Sequence, residues 1–261
     1  MSLFLSMEKY IFDYLKGGIF LDKAVLSKRT YTLGLVLKLG TILSCVIGLI
    51  FQVIEWNSVY IGPNSTLLYF TTQSNIWIAA ICLVFLIIDI KAKGKREISN
   101  WLYIIKFMFT VAIMLTFIVF AVLLTPLQER NYLLSVTNIC LHNITPIFGI
   151  ADFIVCDYGF LSKKRYVLLG TILPLIYCIV TLLLSFSGVT YGEDSSGATR
   201  IVPYFFLDYK KLGWFSISDN GYGVLIWVLI ITVLVLAMGA ALLAISYLRG
   251  TRYMSKSQEQ Q

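Results

Sequence analysis

The chain has 261 residues, 58% hydrophobic and 13% charged, with a mean hydropathy of +0.82. Soluble domains carry roughly a quarter charged residues, and here the apolar residues come in runs of about 20, long enough to cross a ~30 Å hydrocarbon layer; a soluble globule is excluded. The net charge of +7 would suit a nucleic-acid partner, but the placement of the basic residues accounts for it without one.

In chain order, residues 1–30 read as an amphipathic segment. Phe4, Met7, Ile11 and Tyr14 fall at helical spacing, with Glu8, Lys9, Asp13 and Lys16 on the other faces. This pattern predicts a short interfacial helix, and no cleavable signal peptide is expected because a continuous apolar core and cleavage site are missing. Six apolar spans follow at about 31–53, 67–90, 104–124, 133–156, 166–187 and 224–247, and residues 248–261 form a tail. The fold class is therefore all-α: a polytopic membrane protein with six transmembrane helices, residues 31–247, preceded by the interfacial helix.

Fifteen Lys and Arg residues flank one side of these spans: Lys9, Lys16, Lys23, Lys28 and Arg29; Lys91, Lys93, Lys95 and Arg96; Lys163, Lys164 and Arg165; Arg249, Arg252 and Lys256. The opposite connections hold Arg130, Arg200, Lys210 and Lys211 alone. The asymmetry predicts a cell-membrane protein with both termini cytoplasmic, and the basic charge becomes a topology signal. The longest outer connection, 188–223, contains "PYFFLDYKKLGWF", whose aromatics predict a reentrant or interfacial lid. Cys45, Cys82, Cys140, Cys156 and Cys178 all lie within spans and show no metal-binding spacing, so they read as small packing residues. No metal and no cofactor are expected.

The informative residues are polar ones inside the apolar runs. The second span opens "YFTTQSN", and the fourth carries "SVTNICLHNITPIFGIADFIV" with the only histidine of the chain, His142. A polar side chain in hydrocarbon is costly unless paired, so such residues face the bundle interior. Asn138, His142, Thr145 and Asp152 lie on one helical face, Pro146 frees a backbone carbonyl, and Thr71, Ser74 and Asn75 share a face with Thr72 beside it. At ~1.5 Å per residue, Thr71 lies roughly 6 Å and His142 roughly 13 Å below the outer boundary. The two can meet if the second and fourth helices pack. An imidazole can deprotonate a threonine hydroxyl for nucleophilic attack, and Asn75, Gln73 and Asn138 could donate to an oxyanion. The same groups could instead be interhelical hydrogen-bond glue. Nearer the cytoplasm, Lys38 and Asp152 lie at similar depth and could pair, unless Lys38 or Lys106 snorkels to the surface.

"YFTTQSN", "LHNITPIFGIADF" and "PYFFLD" together resemble the androgen-induced and androgen-dependent TFPI-regulating membrane proteins, and more closely their six-helix bacterial relatives. The resemblance covers the six-span plan. It implies a threonine hydrolase acting on fatty acid esters, with His142 (four residues before Pro146) as the base. The nucleophile it implies is Thr71 or Thr72. The polar Gln73-Ser74-Asn75 departs from the more apolar continuation in the eukaryotic enzymes. An intramembrane lipid-ester hydrolase, taking an acyl-ester lipid from the outer leaflet, is the leading expectation. The alternatives are a small-solute transporter or channel using the same polar stripe, and a non-catalytic scaffold or sensor.

Overall fold

A computed structural model describes residues 21–54, 66–157, 160, 163–193, 197–218 and 221–258. The expected interfacial helix, residues 4–16, lies outside them. Among the described residues six helices are long and apolar enough to cross a membrane: α1 (Lys28–Ile54), α2 (Phe70–Ala92), α3 (Asn100–Leu127), α4 (Val136–Cys156), α5 (Lys164–Phe186) and α6, whose apolar part is Val224–Arg249. Helix α6 continues to Gln258, into the stretch expected as a tail. In hydrocarbon the backbone has no water to bond, so continuous helices are the means by which these runs satisfy their own polar groups. We call the end of the bundle where the chain enters α1 proximal, and the end carrying the long α5–α6 connection distal.

Helices α1 to α4 form the tight part of the bundle, α1 packing on both α2 and α4, and α3 on α2 and α4. Small residues set the approach, as expected where packing rather than hydrophobic driving force joins helices. A Cβ on Gly48 would stand 2.6 Å from the Leu141 side chain of α4, and one on Gly149 of α4 would stand 2.7 Å from Ile78 of α2. Helix α6 packs on α5 through Lys164–Thr171, a 3₁₀ segment, and the rest of α5, Ile172–Phe186, stands away from it.

Two other helices carry π turns. In α3 a π turn spans Phe120–Leu124, and in α4 another spans Ile139–Ile144. Pro146 explains part of the second. Its ring nitrogen has no proton to give back to Leu141, five residues earlier, and the Leu141 carbonyl accepts instead from Asn75 Nδ2 of α2 at 3.0 Å. In α3 the Thr125 hydroxyl donates to the Phe120 carbonyl at 2.9 Å.

At the proximal end α2 stops at Lys93 and Gly94, both at positive φ, with the Gly94 N–H returned to the Asp89 carbonyl. The chain then runs back as β2 (Lys95–Ser99), paired antiparallel with β1 (Leu21–Val25), Ala24 facing Arg96. Because side chains alternate along a strand, Arg96 and Ile98 point inward together and both are buried. Arg96 thereby meets a network of which the expected Lys38–Asp152 pair is only one part. Lys38 bonds Asp152 (2.6 Å) and Asp89 (3.1 Å); Arg96 bonds Asp89 and Asp157 (2.8 Å); Lys106 bonds Asp152 (2.6 Å) and Asp157 (2.5 Å). Three cations and three carboxylates alternate in a closed, charge-neutral ring drawn from α1, α2, β2, α3, α4 and the residue after α4. Neither Lys38 nor Lys106 snorkels: both side chains are fully buried.

Candidate functional site at the distal end

The start of α2 divides its polar residues among three neighbours. At 100° per residue the five side chains from Thr71 to Asn75 cannot share one environment. Thr71 faces a distal cavity of about 460 Å³, whose walls also include His142 of α4, Phe120 of α3, Gln52 of α1 and Tyr132. Thr72 is fully buried and turns toward α1, where its hydroxyl meets the Gln52 side chain at 3.4 Å. Ser74 turns toward α3, bonding the Thr116 hydroxyl at 2.7 Å. Of the two candidate nucleophiles, Thr71 is the one on the cavity wall.

His142 is held by its ring face. It stacks on Phe120 with centroids 3.7 Å apart and planes 16° from parallel, and Tyr132 meets it edge-on at 6.5 Å. Two π turns at the same level bring these rings together. The imidazole Nδ1 is buried and has no hydrogen-bond partner among the described residues. Buried polar atoms are normally satisfied, so this nitrogen, closed off even from the cavity, is an exception. Thr71 and His142 thus occupy one cavity without a hydrogen bond joining them.

The amides differ from their expected role as oxyanion donors. Asn75 gives Nδ2 to the carbonyls of Thr71 (2.8 Å) and Leu141 (3.0 Å). Asn138 gives Nδ2 to the Leu133 carbonyl at 2.8 Å, and Gln73 gives Nε2 to the Leu67 carbonyl at 2.9 Å on the exposed side. None of the three lines the cavity, and neither does Ser74. The π turn and the ends of the short turns Thr66–Leu68 and Arg130–Leu133 leave carbonyls without helical donors, and the amides are consumed there. Asn75 and Ser74 nonetheless act on Thr71, since both donate to its carbonyl (Ser74 at 3.1 Å) and fix the first turn of α2.

The cavity roof comes from the long connection. Pro203, Tyr204, Phe205 and Arg200 line it, and Asp208 and Lys211 sit at its rim. Aromatic contacts fasten this roof to the bundle: Tyr204 lies against Tyr69 (6.1 Å) and Tyr177 (6.3 Å), and Phe205 against Trp227 (5.8 Å). Asp208 caps the short helix Tyr209–Leu212 by accepting from the backbone of Lys210 and Lys211. Most important for the chemistry, the Thr71 N–H reaches the Tyr204 hydroxyl oxygen at 3.4 Å. Burial pushes the Tyr204 phenol up to about 12, so it stays protonated at neutral pH and its own O–H remains a donor beside Thr71. Within "PYFFLD" nothing singles out Tyr204 as the neighbour of Thr71, and Gln52 stands outside the expected site. The latter had a signal: Lys38, Thr41, Ser44 and Gln52 recur on one face of α1.

A second, apolar space adjoins the first. It is a slot of about 80 Å³ that shares Thr71, Tyr204, Phe120 and Leu124 with the cavity and continues between α3, α5 and α6. Among the described residues no cluster of His, Cys, Asp and Glu could hold a metal ion. No family model, curated protein or solved structure matches the chain.

Proposed function

We propose that this chain is an intramembrane lipid-ester hydrolase that works from the outer leaflet with a Thr71–His142 pair. The observation that carries the reading is the convergence of Thr71, His142 and Tyr204 on one roofed cavity within a bundle of membrane-spanning helices. The sequence likeness to the threonine hydrolase family points to His142 and to Thr71 or Thr72. The Lys and Arg asymmetry supports cytoplasmic termini, and with that orientation the distal cavity opens at the outer leaflet.

In this mechanism Thr71 Oγ1 attacks the ester carbonyl carbon while His142 takes the hydroxyl proton. The carbonyl oxygen becomes an oxyanion that accepts from the Tyr204 O–H, in place of the amides. Collapse breaks the ester C–O bond, and the departing alkoxide takes the proton from His142. Water then attacks the acyl-threonine, giving its proton to His142 and releasing the carboxylic acid and the Thr71 hydroxyl. The sharing of one cavity without a hydrogen bond fits a pair that closes on substrate. Ser74 and Asn75 are positioning residues, which hold the Thr71 peptide.

The test is hydrolysis of long-chain lipid esters by purified protein in liposomes. Wild-type turnover that vanishes in Thr71→Val and in His142→Ala, with the double variant little worse than either, is the expected result. Turnover that survives His142→Ala overturns it.

A second reading has one observation in its favour. Below the cavity, Gln52 and Thr72, then the bonded Ser44 and Thr145 hydroxyls (2.6 Å), then Thr41, lead along α1 toward the ionic ring. Such a polar seam suits proton or solute movement. A proton or solute flux in liposomes that is lost in Ser44→Ala and Thr145→Val, without any ester hydrolysis, would favour it.

A further inference from the structure

We infer that the apolar slot between α3, α5 and α6 holds the ester-proximal part of one lipid acyl chain, which enters sideways through the gap between α5 and α6. The inference takes the position of the ester from the proposed Thr71 chemistry. The rest stands on the shape of the bundle.

Three observations support it. First, α5 leaves α6 after Thr171, and the slot lies in the resulting divergence, with Leu175 and Cys178 on one wall and Ile231 and Val235 on the other. An apolar opening between peripheral membrane-spanning helices faces hydrocarbon, so acyl chains are the molecules at its mouth. Second, the slot and the polar cavity adjoin, with Thr71, Tyr204, Phe120 and Leu124 in the walls of both. A molecule filling both has an apolar part, a polar part and a junction at Thr71. That is the form of an acyl ester. Third, the slot is short. From Val228 to Val235 α6 advances about 10 Å, at ~1.5 Å per residue, while a membrane lipid tail is longer and must emerge again through the gap.

These dimensions assign the selectivity. Lipid tails are as apolar as the slot, so burying a chain there brings no hydrophobic gain over leaving it in the bilayer. The slot therefore orients the chain rather than binding it tightly. It selects against branching or bulk in the carbons next to the ester and is indifferent to total chain length.

The experiment uses full-length protein in liposomes of phosphatidylcholine, a fraction of it carrying a diazirine on the acyl carbons next to the ester. After photolysis, crosslinked peptides are mapped by mass spectrometry in wild type, His142→Ala, Ile231→Trp and Cys178→Phe, with the lipid-facing Val233→Trp as control (Val233 is 58% exposed). Crosslinks should concentrate on residues 115–124, 175–178 and 228–235 over lipid-facing α1 sites such as Leu43. Either slot-filling variant should cut them at least fivefold, while Val233→Trp and His142→Ala should leave them unchanged. Labelling spread evenly over the lipid-facing surface, or unaffected by both fillers, overturns the slot. Because the readout needs no turnover, a labelled slot in a protein that hydrolyses nothing sinks the hydrolase reading alone, and hydrolysis with an unlabelled slot sinks this inference alone.

Discussion

Replacing Asp152 by Asn removes one charge from the ionic ring and changes little else in volume. Asp152 accepts from Lys38 and Lys106, each at 2.6 Å, and all three side chains are fully buried. The asparagine can still accept from one ammonium through Oδ1, but its amide then presents N–H to the other, donor against donor. The ring opens into a chain of five charges with a net positive charge and no solvent to screen it. Breaking a buried pair by removing one partner costs about 3–5 kcal/mol. Lys38 keeps Asp89 at 3.1 Å and Lys106 keeps Asp157 at 2.5 Å, which places the loss at the lower end, about 3 kcal/mol. For a chain of this size that corresponds to a fall of roughly 6–12 °C in Tm. A thiol-reactive fluorophore assay in detergent suits the molecule, because Cys45, Cys82 and Cys156 are buried and react only on unfolding. Adding Lys38→Met to Asp152→Asn restores neutrality and should recover part of the loss, a coupling that independent sites would not show. An unchanged Tm in Asp152→Asn would refute the reasoning. If turnover vanished while Tm held, Asp152 would belong to the chemistry and not to the scaffold.

Three further predictions follow from the distal half. Tyr204→Phe keeps the aromatic roof and removes the donor beside Thr71, so kcat for ester hydrolysis should fall about 100-fold or more, the usual cost of one oxyanion donor, with KM little changed; an unchanged kcat would remove Tyr204 from the mechanism. Thr72→Val breaks only the contact with Gln52 and should retain turnover that Thr71→Val loses, and the reverse outcome would move the nucleophile by one residue. Gly48→Val drives a side chain into Leu141, 2.6 Å from the new Cβ, and should cost about 1–3 kcal/mol as overpacking does, read as a lower Tm in detergent; a neutral effect would show that α1 and α4 can separate freely.

The parts of this fold that the sequence displays are those written as runs and periods. Apolar length marked the six spans to within a few residues at most ends, and the similar depth of Lys38 on the first span and Asp152 on the fourth anticipated their contact. Arg96 shows where this legibility stops. Counted with Lys91, Lys93 and Lys95 as a flanking charge, it is instead turned inward by a strand after Gly94, and nothing in local composition distinguishes it from its neighbours. Asp89 and Asp157 were likewise invisible as partners, because a ring closed across six segments has no local period. At the site, the level and facing of Thr71 and His142 could be read from helical geometry. The fate of Asn75 could not, since it depends on a carbonyl that Pro146 releases on another helix. Tyr204 depends on the path of a long connection, which hydropathy does not encode.

The π turn of α4 works as a phase shifter. Over Ile139–Ile144 the helix takes up more residues per turn than the α segments on either side. Its two ends therefore present faces that a uniform α-helix of the same sequence would not. Straightening that stretch into ordinary α geometry with all its residues kept would rotate everything distal by about 100° relative to Asp152. The ring would stay assembled while the cavity wall turned away from Thr71. Removing one residue along with the turn would leave the two ends almost in phase, because five residues in α geometry advance about as far around the axis as six in π geometry. The surplus residue of this turn, with no change in hydropathy, thus sets the angle between the anchored half of the bundle and its distal half.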